Sequence, residues 1–228
     1  TRNHGNISVG TTLSADGGNS DTTYASYIGQ VEYGIGILGG AHGGLKNSSS
    51  GYGAGAGKLS VNGTVGGGAG YGSKGQHHST DVTYGGIYGS TPLSHLHGGS
   101  GGGAASATGG GAGGGAISLE ADGNGTLTIV AGGMISANGG SVADLSSNGG
   151  GGGSGGSIRL SGKSITNNGT IRAKGATPPS GGTGGGGRVA FNYSTNLTEG
   201  TIDLGTGAYL GTKGYNTPPS ISSGDTAS

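Results

Sequence analysis

Apolar residues recur along the chain in pairs set two apart, with a polar or small residue between them. The pairs are Ile7/Val9, Leu59/Val61, Ile117/Leu119, Ile158/Leu160 and Val189/Phe191, in the segments "NISVG", "KLSVN", "AISLEA", "SIRLS" and "RVAFNY". A period of two is that of a β-strand with one face buried, which directs the intervening Ser8, Ser60, Ser118, Arg159 and Ala190 away from the core. Turn sequences follow: "NGT" at Asn62, "DGNGT" at Asp122, "NNGT" at Asn167 and "TEGT" at Thr198. Asn-Gly and Asp-Gly suit corners that need positive φ. A second set of short strands then places Leu13/Ala15, Ile135/Ala137, Ile171/Ala173 and Ile202/Leu204 on one face, each ending at or near glycine.

The repeating unit is therefore strand, corner, strand, glycine-rich excursion. Near-constant strands separated by excursions of variable length predict an all-β fold, a parallel β-helix-like solenoid in which each coil buries its apolar face against its neighbours. An antiparallel β-sandwich uses the same strands, and hydrogen-bond direction is not written in the pattern. Residues 1–214 form one such domain and 215–228, "YNTPPSISSGDTAS", an extended Pro/Ser-rich tail or linker.

Glycine changes this picture most, with 64 residues in a chain of 228. Such a content ordinarily signals disorder, but the regular islands of Val, Ile and Leu oppose that, and runs such as "GGSGGGAASATGGGAGGGA" keep no collagen triplet register. The runs at 139–156 and 181–187 are expected to lie as ordered, polyproline II-like segments, because without a Cβ backbones pack side by side. Charged residues are 9% of the chain, with ten positive and ten negative side chains. That balance gives no electrostatic reason to bind nucleic acid or an anionic membrane. No apolar run reaches the ~20 residues needed to span a bilayer. Cysteine is absent, so neither a disulfide framework nor a thiolate metal site can form. A start at Thr1 without Met suggests a processed product or a piece of something longer.

The run "GGGAGGGAISLEADGNGTLTIVAGGMISANGG", followed by "GGGGGSGGSIRLSGKSITNNGTIRAKGA" and "GGGGRVAFNYS", resembles the glycine-rich repeat regions of large secreted or cell-surface microbial proteins of adhesin-like type. The upstream "GGIYGSTPLSHLHGGSGGG" matches the same pattern, so the resemblance covers roughly residues 85–194. A more distant likeness, of composition alone, is to glycine-rich phage tail-tip adhesins. The resemblance implies a secreted or cell-surface setting and a structural or adhesive role, and it brings no catalytic residues.

Candidate chemistry is sparse. His95 and His97 in "SHLHG", with His77 and His78 in "GQHHS", could converge on a metal, but no acidic or thiol pattern accompanies them and polar surface positions are the ordinary reading. "DGGNSD" at Asp16–Asp21 lacks the Glu of a calcium loop, and "GAGAGK" precedes a strand where a phosphate loop needs a helix. No nucleophile elbow or local carboxylate pair is present, so an enzyme is not expected, nor a cofactor or resident metal. Tyr24, Tyr27, Tyr33, Tyr52, Tyr71, Tyr84 and Tyr88 crowd the N-terminal part; Tyr71, Tyr84 and Tyr88, with His95 and His97, are the candidate ligand-binding residues. Sequons at Asn6, Asn47, Asn62, Asn124, Asn168, Asn192 and Asn196 are candidate glycosylation sites. The first functional reading is an extracellular structural module, a segment of a fibrous appendage or adhesin assembling as a homo-oligomer or filament by homotypic contacts. The alternative is a module that binds a glycan or cell-surface receptor, including a phage-type receptor-binding protein. Ice binding ranks last, because threonines recur at corners and not as ranks on a strand face.

Overall fold

In three dimensions the apolar pairs become columns that run across neighbouring strands. The computed structural model describes residues 5–20, 33–47, 49–60, 62–77, 83–90, 93–122, 124–142, 148–205 and 212–216. Its strands are β1 (Ile7–Val9), β2 (Thr12–Ser14), β3 (Ala116–Glu120), β4 (Thr126–Ile129), β5 (Met134–Ser136), β6 (Ser157–Asn167), β7 (Thr170–Arg172), β8 (Arg188–Thr198), β9 (Thr201–Asp203) and β10 (Thr212–Asn216). Among the described residues there is no helix, and so none long and apolar enough to cross a membrane.

One sheet runs β1-β4-β6-β8-β10, with β3 also paired to β6, and a smaller one runs β2-β5-β7-β9. Every ladder between these strands is parallel. Register stacks like on like: Ile7, Leu127, Ile165 and Leu197 form one column, and Ile117, Ile158 and Val189 a second. Leu13, Ile135, Ile171 and Ile202 form a third, in the smaller sheet. The two sheets curl as a half-barrel about one shared core, in which Leu127, Ile135, Ile158, Leu160, Ile165, Ile171 and Phe191 are fully buried.

This corrects both sequence-based expectations of the fold. The antiparallel sandwich is overturned by the direction of the ladders. The solenoid of like coils is overturned by unlike units. Leu59, assigned to the second coil, makes only an isolated antiparallel bridge with Gly66. β3 and β4 share the single 11-residue partner β6, whose register shifts between Gly162 and Ser164, so one unit supplies two strands where the next supplies one. The physical reason lies in the glycines. Around Leu59 the backbone donors reach other loops, as when Lys58 N donates to Thr83 O and Gly66 N to Gly149 O, and no sheet ladder is left for them to join.

Three excursions, 15–115, 137–156 and 173–187, all leave the end of a strand in the smaller sheet and return to the start of a strand in the larger one. The bundle that their described residues build therefore sits against one end of the half-barrel. Its hydrogen bonds repeat every three residues. Gly110 and Gly113 donate to Gly44 and Ala41, Gly111 and Gly114 to Gly151 and Ser154, and Ala112 and Gly115 to Gly18 and Ala15. Likewise Gly151 and Ser154 donate to Gly103 and Ser100, Gly152 and Gly155 to Gly182 and Gly185, and Gly153 and Gly156 to Gly140 and Ala137. Three residues per turn with no internal hydrogen bond is polyproline II geometry, and here neighbouring chains take the place of water as partners. The packing requires glycine at positions such as Gly153, where a Cβ would fall well inside van der Waals contact with the Ala112 carbonyl.

Parallel sheets are commonly covered on both faces, and at one end of the larger sheet that cover comes from residues 88–90 and 93–97. Ala190, expected on an open face because it alternates with core residues, is fully buried, and Arg188 is only 4% exposed. Arg188 Nη2 donates to the Tyr88 carbonyl at 2.7 Å, and Arg159 Nη1 donates to the Leu93 carbonyl at 3.3 Å.

Candidate functional site

Tyr71 and Tyr88 fill the space between that covering segment and the sheet. Their ring centroids are 4.7 Å apart, tilted at 44°, and the Arg188 guanidinium lies 5.3 Å over the Tyr71 ring. Burying the phenols requires hydrogen bonds, and both are supplied. Tyr71 Oη donates to Ser157 Oγ at 3.4 Å, and the Ser157 hydroxyl donates to the His97 carbonyl. Tyr88 Oη donates to the Gly98 carbonyl at 2.7 Å and accepts from Ser100 Oγ at 3.0 Å. Burial raises the pKa of Tyr71 and pushes that of Tyr88 up to about 12, against the smaller lowering by Ser157 and Ser100 respectively. With Tyr71 fully buried, Tyr88 half-buried and both phenol hydroxyls paired, this cluster is a clamp, and it offers little surface to a ligand.

Tyr84 differs. It is 37% exposed, and its ring stacks on His77 at 5.8 Å and 25°. With Ile87, 55% exposed, and Ser73, Lys74, Gly75 and Gln76 it lines a shallow cavity of about 360 Å³. Gln76 also lines a larger open groove of about 730 Å³, whose polar side chains include Asn19, Asn138, Ser141, Thr177, Thr183, Lys174 and Asp203. The groove follows from the strand register of the smaller sheet. Asp16, Asn138 and Lys174 each come two residues beyond the end of a strand in adjacent, in-register positions, so they stack at the bundle's edge. Asp16 Oδ1 accepts from Asn138 N at 2.6 Å, and Asn138 Oδ1 accepts from Lys174 N at 3.1 Å. Lys174 Nζ lies 3.4 Å from Asp203 Oδ2, which matches its charge.

Of the candidate ligand-binding residues, the structure brings Tyr71, Tyr88 and His97 together, with the His97 ring 6.4 Å from that of Tyr88, edge-on. His95 sits apart, its Nδ1 3.4 Å from Ser94 Oγ. His77 belongs to the Tyr84 shelf, while His78, Tyr24, Tyr27 and Asp21 lie outside the described residues. No group of three or more His, Cys, Asp or Glu side chains able to hold a metal occurs among the described residues. Asp16 is no calcium ligand in waiting: its second oxygen accepts from the Ser136 hydroxyl at 3.0 Å. Asn6, Asn47, Asn62, Asn124, Asn168 and Asn196 are exposed; Asn192 is half-buried, with its amide nitrogen donating to Ser161 Oγ.

The groove residues Asn19, Gln76, Asn138, Lys174 and Asp203 were not found from the sequence. The signal for two of them was present: the repeated phrase places Asn138 and Lys174 directly after the aligned Ala137 and Ala173. Gln76 and Asn19 reach the groove through glycine packing, which leaves no periodic trace. Comparison of the chain with protein-family models, characterised proteins and solved structures gives no match.

Proposed function

We propose that this chain is an extracellular structural module, not an enzyme, and that it joins end to end with copies of itself in a surface appendage or adhesin. One observation carries the reading: the apolar columns are buried in the middle and open at their ends. In the smaller sheet Ile135 and Ile171 are fully buried, while Leu13 in the edge strand β2 is 38% exposed and Ile202 in β9 is half-buried. Among the described residues β1, β2, β9 and β10 each pair on one side only, and within each sheet every ladder is parallel. The free side of β1 and β2 therefore complements the free side of β10 and β9, and such a head-to-tail contact repeats without closing. The secreted setting rests on the resemblance of residues 85–194 to glycine-rich surface repeats.

Sedimentation velocity over a wide concentration range, with electron microscopy of the concentrated sample, tests it. Concentration-dependent growth into rods, abolished in Leu13→Asp without loss of thermal stability, is the expected result. A wild-type chain that stays monomeric throughout overturns the assembly.

A further inference from the structure

We infer that the groove edged by Asn138, Lys174 and Asp203, together with the Tyr84 shelf, binds a neutral oligosaccharide. The two cavities adjoin at Gln76, which lines both. Their combined chemistry is that of a polyhydroxylated ligand. Amides (Asn19, Asn138, Gln76) and hydroxyls (Ser141, Thr177, Thr183) offer donors and acceptors side by side, which suits the vicinal hydroxyls of a sugar. The Tyr84 ring, backed by His77 and flanked by the exposed Ile87, offers a flat apolar face against which the C–H face of a pyranose can stack.

The charged side chains lining the groove itself are balanced. The Lys174 ammonium faces Asp203 at 3.4 Å, while Arg172, outside that lining, has its Nε 3.8 Å from the same carboxylate oxygen. Neutral hydroxyls can bridge the Lys174–Asp203 pair without separating it. The backbone beneath is rigid, because Gly139 and Gly184 in the groove floor pack in the glycine bundle against Gly153. A preformed site of this kind loses little conformational entropy when it binds.

The test is a glycan array carrying neutral, sialylated and sulfated oligosaccharides, probed with the full chain. Calorimetric titration of the best-retained neutral glycan into the wild type and variants follows. The expected result is retention of neutral glycans, with affinity at least about tenfold weaker in the Gln76→Ala, Tyr84→Ala double variant. Tyr52→Ala, exposed but lining neither cavity, leaves affinity unchanged. If the double variant does not fold, Asp203→Asn gives the same reading from the groove side. No retention, retention of anionic glycans only, or equal affinity in the groove variants would each overturn the inference. Assembly is read separately by sedimentation, so failure of either proposal leaves the other standing.

Discussion

At single residues, the presence or absence of one carbon atom decides whether the glycine bundle closes. At Gly153 an added Cβ meets main chain, which cannot rotate away as a side chain could, whereas at Gly86 there is open space. Gly153→Ala is accordingly expected to cost roughly 2 kcal/mol or more, in the upper part of the overpacking range, and Gly86→Ala to be near neutral; chemical denaturation of both variants checks the contrast. Column position matters in the same way. Ile171 is fully buried in mid-column and Leu13 is at the open end. Ile171→Ala should lose about 2–5 kcal/mol, with Leu13→Ala losing far less in the dilute monomer. A third site is polar: buried Asn167 donates to the Glu199 carbonyl at 2.5 Å and accepts from Gly169 N at 3.0 Å, holding the β6–β7 corner against its neighbour. Asn167→Leu removes both hydrogen bonds, for about 1–3 kcal/mol by the same measurement.

Between elements, the clamp of Tyr71, Tyr88 and Arg188 links residues 88–90 and 93–97 to the outer face of β6 and β8, and it couples stability to alkaline pH. The Tyr88 phenol titrates at about 12 in the folded protein and at about 10 in an unfolded chain. Below about pH 10 both states keep the proton and the contribution is fully present. Above that the unfolded state ionises first, so stability falls as pH rises and the contribution is gone once the folded phenol also ionises. Denaturation midpoints measured from pH 9 upward should drop between about pH 10 and 12, and Tyr88→Phe should flatten that slope. Strand positions were legible in the sequence at several pairs of aliphatics two apart beside a corner, as at Ile158/Leu160 and Ile171/Ala173, but Leu59 fits the same description and makes only an isolated bridge. β4 escaped notice because "TLTI" is separated from β5 by only the four residues 130–133 and reads as part of its corner, and the second halves of β6 and β8 because a single pair marked only their first halves. The covered outer face was illegible: Arg159 and Ala190 alternate with core residues as solvent-facing positions do, yet Ala190 is buried against Tyr71 and Leu93 and Arg159 is half-buried, donating to the Leu93 carbonyl.

Over the whole molecule, two parallel sheets and a polyproline II bundle satisfy one another's exposed ends, since each excursion starts and finishes on a strand. The aliphatic periodicity alone suggested a uniform stack. Glycine overturned it, because backbones free of Cβ atoms find hydrogen-bond partners in three directions and need no ladder. The groove shares that origin and was hidden for the same reason: its walls are brought together by packing among glycines, which carry no residue pattern. Site-resolved amide hydrogen exchange tests this account most directly. If bundle and sheets are one cooperative unit, the amides of Gly111, Gly114, Gly153 and Gly156 will exchange as slowly as those of Ile158 and Ile171, through the same global opening. Exchange of those glycines at the rate of an unstructured chain, while the strand amides remain protected, would contradict it.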